Sequence, residues 1–175
     1  MVLPEKFLKE ILPRTSEKKT AVITASPRKA GRCFILAKEL KKHIPKSFII
    51  KIADYKIYPC KSCLKCSGGQ CSIKDGFRDF IKKICRAETL ILISPVYFSS
   101  IPAQLKAVID RSQFFWKNRM KPAKGSFGRL VLIGDEKKNY LRCCSIPVRA
   151  FFNTMGIKYG GGFYLRSCEI DKKIL

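Results

Sequence analysis

The sequence predicts an α/β fold, in which a parallel sheet lies between helices on both of its faces. Short apolar segments alternate with segments whose apolar residues recur at helical spacing, and the connections between them are short. The chain has 175 residues, of which 46% are hydrophobic, so it is long enough for one domain with a sizeable core. No apolar run reaches the roughly 18 residues that a membrane-spanning helix requires.

Five segments are predicted to be strands because they are short, apolar and rich in β-branched residues. The third is almost entirely apolar, as is typical of a central strand in a parallel sheet. The fifth contains three glycines and is expected to be looser. The predicted strands are residues 20–25, 47–54, 89–97, 129–135 and 158–165.

Helices are predicted between the strands from apolar residues at helical spacing. Pro45 ends the first of them, and the last is expected to be broken or to begin near Pro147. The predicted helices are residues 32–44, 76–87, 102–116 and 141–156. Residues 1–19 are interpreted as a helical N-terminal extension of a single domain that covers residues 20–175.

The N-terminal sequence mixes acids, prolines and basic residues and lacks the pattern of a secretory signal, so a cytoplasmic protein is expected. The chain contains nine cysteines, an odd number. Because a reducing cytosol disfavours structural disulfides, clustered thiols in such a chain point to metal binding or redox chemistry.

The chain is strongly basic, with 36 Lys and Arg against 13 Asp and Glu and a net charge of +23. Such a field attracts polyanions or an acidic protein. The basic residues are scattered, many as Lys-Lys pairs, and no dense basic tract with interleaved aromatic residues is present. A solvated lysine-rich surface and a specific anionic partner are therefore equally compatible with the composition.

The turn after the first strand has the features of a phosphate site. Ser26, Gly31 and the first N–H groups of the next helix would surround an anion, and Arg28, Lys29 and Arg32 add positive charge. The turn matches neither the P-loop nor the dinucleotide-binding glycine pattern. The alternative is a basic surface turn that binds nothing.

The turn after the third strand, residues 94–102, is suited to a flat ring. Pro95 and Pro102 stiffen a loop that carries Tyr97 and Phe98, and its backbone N–H groups could bond to ring nitrogens and oxygens. Ligands of open parallel sheets bind at the carboxyl ends of the strands, where this turn lies. The alternative is a hydrophobic loop that packs on the next helix.

Four of the cysteines, in the loop of residues 59–75, have the spacing C-x2-C-x2-C-x4-C. Zinc sites usually combine two distant C-x2-C pairs, whereas successive x2 spacings are typical of ferredoxin clusters. Gly68 and Gly69 would let the chain turn back, so all four thiolates could hold one [4Fe–4S] cluster. Free thiols or adventitious zinc are the alternatives, and the other five cysteines are expected in the core. The predicted ligands are Cys60, Cys63, Cys66 and Cys71.

The two turns, with the cysteine run between them, resemble the NADPH-dependent FMN reductase superfamily of flavodoxin-like proteins. The compact cysteines most resemble its iron–sulfur flavoprotein branch, and the resemblance covers roughly residues 20–165. It implies a flavodoxin-like three-layer sandwich with a five-stranded parallel sheet in the order 2-1-3-4-5. It also implies a homo-oligomer, either a dimer or a tetramer.

The resemblance further implies an FMN site. Arg32 and Cys33 stand where the family usually has a small polar pair, and a thiol is a poorer donor to phosphate than a hydroxyl, so weaker FMN binding is expected. The FMN phosphate is expected on Ser26, Arg28, Gly31, Arg32 and Cys33, and the isoalloxazine ring on Pro95, Val96, Tyr97, Phe98 and Ser99.

The predicted function is electron transfer by an iron–sulfur flavoprotein. A low-potential, acidic, ferredoxin-like donor would pass electrons through the [4Fe–4S] cluster to FMN, which would reduce a small-molecule acceptor. No catalytic side chain is predicted, and the single histidine, His43, is expected at the surface. One alternative is an NAD(P)H-dependent FMN or quinone reductase without a cluster. The other is a basic, zinc-stabilised nucleic-acid-binding module.

Overall fold

A parallel sheet of five strands forms the centre of the molecule, in the order β2-β1-β3-β4-β5, which confirms the predicted topology. A computed structural model describes residues 5–12, 18–68, 71–135 and 139–171. β3 lies between β1 and β4, and its residues Leu90 to Ile93 are all buried. The strands are β1 (Thr20–Thr24), β2 (Ser47–Lys51), β3 (Thr89–Pro95), β4 (Phe127–Gly134) and β5 (Lys158–Arg166).

Two hydrophobic clusters, one on each face of the sheet, complete the sandwich. The larger cluster contains side chains of α3, α4, α5 and α6, and the smaller contains side chains of α1, α2 and α7. None of the helices described here is long and apolar enough to cross a membrane. The helices are α1 (Glu5–Ile11), α2 (Arg32–His43), α3 (Phe77–Ile84), α4 (Ala103–Arg111), α5 (Gln113–Lys117), α6 (Leu141–Met155) and α7 (Ser167–Asp171).

The first helix packs on the sheet. Phe7 and Ile11 are buried in the smaller cluster, and the ring of Phe7 meets that of Phe163 in β5 edge-on, with centroids 5.5 Å apart. The predicted N-terminal extension therefore contributes core side chains to the fold.

Several predicted elements differ from the structure in extent or continuity. The helix predicted over residues 102–116 is interrupted at Ser112, whose hydroxyl donates to the carbonyl of Val108 at 2.9 Å and so competes with the helical backbone pattern. The last helix is continuous, with Pro147 in its interior. The second strand ends at Lys51, and residues 52–54 form a short 3-10 helix.

The glycines of β5 shape the strand rather than loosen it. A β-carbon at Gly160 would lie 1.9 Å from the ring of Phe127, so any other residue there would require that ring to move. Gly161 has φ +102° at a shift in register, where residues 160 and 161 oppose Arg129 alone. This arrangement is a β-bulge, which explains why the strand tolerates glycine in its interior.

Candidate functional site

The turns after β1 and β3 meet in one small cavity of about 60 Å³ at the carboxyl ends of the strands. Its volume suits a phosphate-sized group. Four lining residues were not predicted from the sequence, namely Ile133, Gly134, Asp135 and Ser167. The predicted lining residues are Ser26, Arg28, Gly31, Arg32, Cys33, Pro95, Val96 and Tyr97.

The turn after β1 is shaped to receive an anion. The Ser26 hydroxyl accepts a hydrogen bond from the Arg28 N–H group at 3.1 Å, and Gly31 precedes the first turn of α2. The first N–H groups of a helix have no intrahelical partner and point outward. A β-carbon at Gly31 would lie 3.4 Å from the Arg28 β-carbon and 3.9 Å from the Ser26 hydroxyl, so a side chain there would fill the concave face.

Acidic side chains lie against two of the basic residues of this turn. Lys29 Nζ is 3.3 Å from Asp54, and Arg32 Nη1 is 3.9 Å from Asp135. Both pairs are substantially exposed, so their contributions to stability are small. Because Asp135 borders the cavity, it would compete with any anion bound there for the charge of Arg32.

Cys33 is buried in the first turn of α2. Burial raises the pKa of its thiol to about 12, although its own backbone N–H group and the nearby charge of Arg28 act in the opposite direction. The side chain is therefore a neutral thiol at physiological pH. This agrees with its expected role as a weak donor towards phosphate.

The turn after β3 is a tight two-residue hairpin. Tyr97 and Ser100 exchange backbone hydrogen bonds of 2.9 and 3.0 Å. Between them, Phe98 has φ +48° and Ser99 φ +61°, the left-handed conformations of a type I′ turn. Neither residue is glycine, so the backbone is strained, and the Phe98 side chain projects fully into solvent.

This turn offers a flat ring fewer backbone N–H groups than the sequence predicted. The Val96 N–H group donates to the Ile133 carbonyl at 2.8 Å, and the Tyr97 N–H group is used within the hairpin. Proline 95 has no N–H group. Of the five residues predicted to bind the ring, Phe98 and Ser99 therefore keep N–H groups that a flat ligand could use.

Two cysteines of α6 support the hairpin, which the sequence analysis missed. The sulfur atoms of Cys143 and Cys144 lie 3.2 and 3.8 Å from the Ser99 carbonyl oxygen. Cys144 is buried as predicted, but Cys143 is exposed, as is Cys168, so the assignment of these two to the core was wrong. The signal in the sequence was the adjacent pair Cys143 and Cys144. The partner of Cys143, the Ser99 carbonyl, lies 44 residues away in the chain.

The four cysteines of the predicted cluster line a second, larger pocket of about 700 Å³, together with Trp116 and side chains of α4 and α6. Burial raises the pKa of Cys66, with a further contribution from repulsion by the other three thiols. The thiols are therefore electrostatic neighbours. A hydrogen bond with Ser72, 3.2 Å away, is the main cause of a lowered pKa at Cys63.

The donor atoms of this pocket are of the type that binds a cluster, but they do not lie close enough together to bind one. Four soft thiols in one pocket are the donor set of an iron–sulfur or zinc centre. Over the part of the chain that the structure describes, no three Cys, His, Asp or Glu side chains lie close enough together to hold a metal ion. Gly69, expected to help turn the loop back, lies outside that part.

A buried ion pair at the base of the cysteine loop was also missed. Arg111 Nη1 lies 2.7 Å from Asp75, and their side chains are only 1% and 2% exposed. Burial alone would raise the pKa of Asp75, but hydrogen bonds from Arg111 and from the N–H groups of Tyr58 and Phe77 outweigh it and lower the pKa. The sequence contained a signal that Arg111 is buried. Leu105, Val108 and Arg111 follow one another at intervals of three residues, so they lie on the same buried face of α4.

Comparisons with known proteins agree with this outline. The sequence profile of the NADPH-dependent FMN reductases matches residues 18–158. An iron–sulfur flavoprotein of Archaeoglobus fulgidus is 36% identical over 98 residues, which are 54% of this chain and 49% of that protein. One of Methanocaldococcus jannaschii is 38% identical over 96 residues, which are 52% of this chain and 50% of that protein. These matched regions span about half the length of the two relatives.

The fold also has counterparts among solved structures. The structure of the Trp repressor binding protein from Bacillus subtilis superimposes with a TM-score of 0.64 at 21% identity, covering 89% of this chain and 93% of that one. At this level of identity the likeness concerns the fold alone.

Proposed function

Because the chain belongs to the NADPH-dependent FMN reductase family, in its iron–sulfur flavoprotein branch, we propose that it is a flavin-dependent oxidoreductase that binds FMN where the turns after β1 and β3 meet. The observation that carries the proposal is the shared cavity. Eight of the ten residues predicted to bind FMN line it, and the other two, Phe98 and Ser99, form the hairpin beside it.

Each part of the proposed FMN site has a separate role. Ser26, Arg28 and the N-terminus of α2 would hold the phosphate, with Arg32 supplying charge. The rigid hairpin of Phe98 and Ser99 would orient the ring and offer it two N–H groups. When bound, FMN supplies transfer of one or two electrons, so the protein's task is to bind and orient.

We further propose that the cysteine pocket holds a [4Fe–4S] cluster, with Cys60, Cys63, Cys66 and Cys71 as its ligands. The support is their common pocket and soft donor chemistry, together with the names of the relatives. Such a cluster would exchange one electron at a time. Its uptake would have to draw the four sulfur atoms closer together than they are here.

The proposed electron donor is an acidic, ferredoxin-like protein, and the acceptor is a small molecule. The net charge of +23 supports an acidic partner because opposite potentials speed up encounter. We also propose a homo-oligomer, since the exposed side chains of Phe98 and Ile146 present apolar surface. A reduction rate that does not change with salt concentration would count against the acidic donor.

The cofactors are tested by purifying the protein anaerobically and measuring its absorption spectrum, FMN, iron and acid-labile sulfide. We expect flavin bands over a broad shoulder that dithionite bleaches, with about four iron atoms per chain. Substitution C63S should remove the shoulder and retain the flavin bands. Substitution C168S, at an exposed cysteine outside the loop, should retain both. A protein that takes up no FMN would refute the flavoprotein assignment.

A second candidate is an NAD(P)H-dependent FMN or quinone reductase without a cluster. The separation of the cysteine sulfur atoms favours this candidate. In the described residues, no three Cys, His, Asp or Glu side chains lie close enough together to hold a metal ion. FMN-loaded protein that contains no iron after reconstitution and oxidises NAD(P)H with a quinone would establish this candidate in place of the first.

A further inference from the structure

We propose that Arg111 and Asp75 form a positioning clamp that holds the two ends of the cysteine loop together and presents its thiols to a cluster. The clamp is defined as this ion pair and its contacts with Tyr58 and Ile73. The inference rests on the proposed function, because it assigns a role to residues around the cluster site of that proposal.

The guanidinium of Arg111 reaches both ends of the loop at once. Its Nη1 donates to the Tyr58 carbonyl at 3.0 Å, two residues before Cys60. Its Nη2 donates to the Ile73 carbonyl at 3.3 Å, two residues after Cys71. The same two nitrogens hold the carboxylate of Asp75, at 2.7 and 3.2 Å. One planar group thus closes a segment that contains all four proposed ligands.

Asp75 ties the same segment to the helix that follows. Its carboxylate accepts the Tyr58 N–H group at 2.8 Å and the Phe77 N–H group, at the start of α3, at 3.1 Å. The ring of Phe77 lies 4.7 Å from the guanidinium carbon of Arg111 and covers it. The loop ends are therefore fixed to α3 and α4, whereas Cys60 and Cys63, between them, are exposed.

A buried ion pair is a costly way to obtain stability alone, since apolar side chains of similar volume often do as well. Here the pair has a property that apolar side chains lack, since it places a guanidinium beside a proposed ligand. Arg111 and Cys71 line the same cleft. Four thiolates around a cluster carry negative charge, which a neighbouring guanidinium would offset.

The Nε atom of Arg111 is a further donor that the clamp does not use. It is buried and is the one side-chain nitrogen or oxygen within the described ranges that is buried without a hydrogen-bond partner. Buried donors are rarely left unpaired. A sulfur atom of the assembled site would give this donor its partner.

The apex of the loop has its own tether. The side-chain amide of Asn118, just after α5, donates to the Cys66 carbonyl at 2.9 Å and to the Phe114 carbonyl at 2.8 Å. Because this contact does not involve the clamp, loss of the clamp should release the loop ends and leave the apex attached.

The test compares the wild type with R111K, which keeps a cation but loses the planar fork, and with K106R. Lys106 lies on the same helix, is exposed and pairs with Asp110 at the surface, so exchanging the same two residue types there is a matched control. If R111K does not fold, the double variant D75N/R111Q replaces both charges with amides. Two measurements are made: hydrogen exchange of the cofactor-free protein, and the ratio of iron to FMN after anaerobic reconstitution.

We expect amides of residues 58–68 and 71–75 in R111K to exchange at least tenfold faster than in the wild type, with β1 and β3 unchanged. The ratio of iron to FMN should fall by at least half. A merely destabilised protein would lose both cofactors together and would exchange faster throughout. Loop exchange and an iron ratio equal to those of K106R would overturn the clamp. A wild type without iron would refute the cluster instead, and the exchange data would still decide whether the clamp holds the loop.

Discussion

The guanidinium of Arg111 lies 2.7 Å from the carboxylate of Asp75, and both side chains are almost completely buried. Removing one partner would leave an uncompensated buried charge. We therefore expect R111M to lower the free energy of unfolding by about 3–5 kcal/mol. The double variant D75N/R111M should lose less than the sum of the two single variants, as urea denaturation can measure. Additive losses would show that the pair is not coupled.

Asp75 should make the protein sensitive to acid. Its pKa is lower in the folded protein, so its contribution to stability is complete above the unfolded value, about 4, and is lost as the pH falls through the folded pKa. Urea midpoints measured below pH 4 should therefore fall less steeply in D75N than in the wild type. The variant D79N, at an exposed carboxylate of α3, should retain the wild-type slope.

The FMN phosphate and the carboxylate of Asp135 should compete for the guanidinium of Arg32. We expect R32Q to weaken FMN binding by about 10-fold to 100-fold, the effect of losing a charge-assisted hydrogen bond. D135N should strengthen it by about twofold to fivefold, because an exposed pair no longer competes. Riboflavin has no phosphate, so its affinity should change in neither variant. Equal losses for FMN and riboflavin would contradict a phosphate contact. Fluorescence quenching of the flavin gives these affinities.

Two cysteines should resist alkylation in the folded protein. Burial raises the pKa of Cys33 and of Cys144 to about 12, so neither forms the reactive thiolate at pH 8. Iodoacetamide followed by mass spectrometry should label the exposed Cys168 and leave Cys33 and Cys144 unmodified. In urea all nine cysteines should react. Labelling of Cys33 in the native protein would show that the first turn of α2 opens.

Local patterns were sufficient to predict the sheet. β3 is apolar along its whole length because both of its faces are covered, and such a segment is recognisable without knowledge of its neighbours. The two turns could also be placed, since each directly follows a strand and the carboxyl ends of parallel strands share an edge. Their convergence on one cavity follows from the topology.

The missed features all depend on partners far away in the chain. Arg111 and Asp75 are separated by 36 residues, and Cys143 and Ser99 by 44. Periodicity placed Arg111 in a helix, but which group would compensate its charge depends on how the cysteine loop returns to α4. The glycines of the fifth strand were expected to loosen it for a similar reason. The close approach at Gly160 comes from the ring of Phe127 on β4, which is distant in the sequence.

Trp116 is the only tryptophan of the chain, and it lies 64% exposed at the rim of the pocket that the four thiols share. Its fluorescence therefore reports on this one place, with no other indole to subtract. An absorbing metal centre in the pocket would quench that emission by energy transfer. The chain thus carries its own optical probe of the cysteine pocket, with which the filling of that site can be followed in a titration.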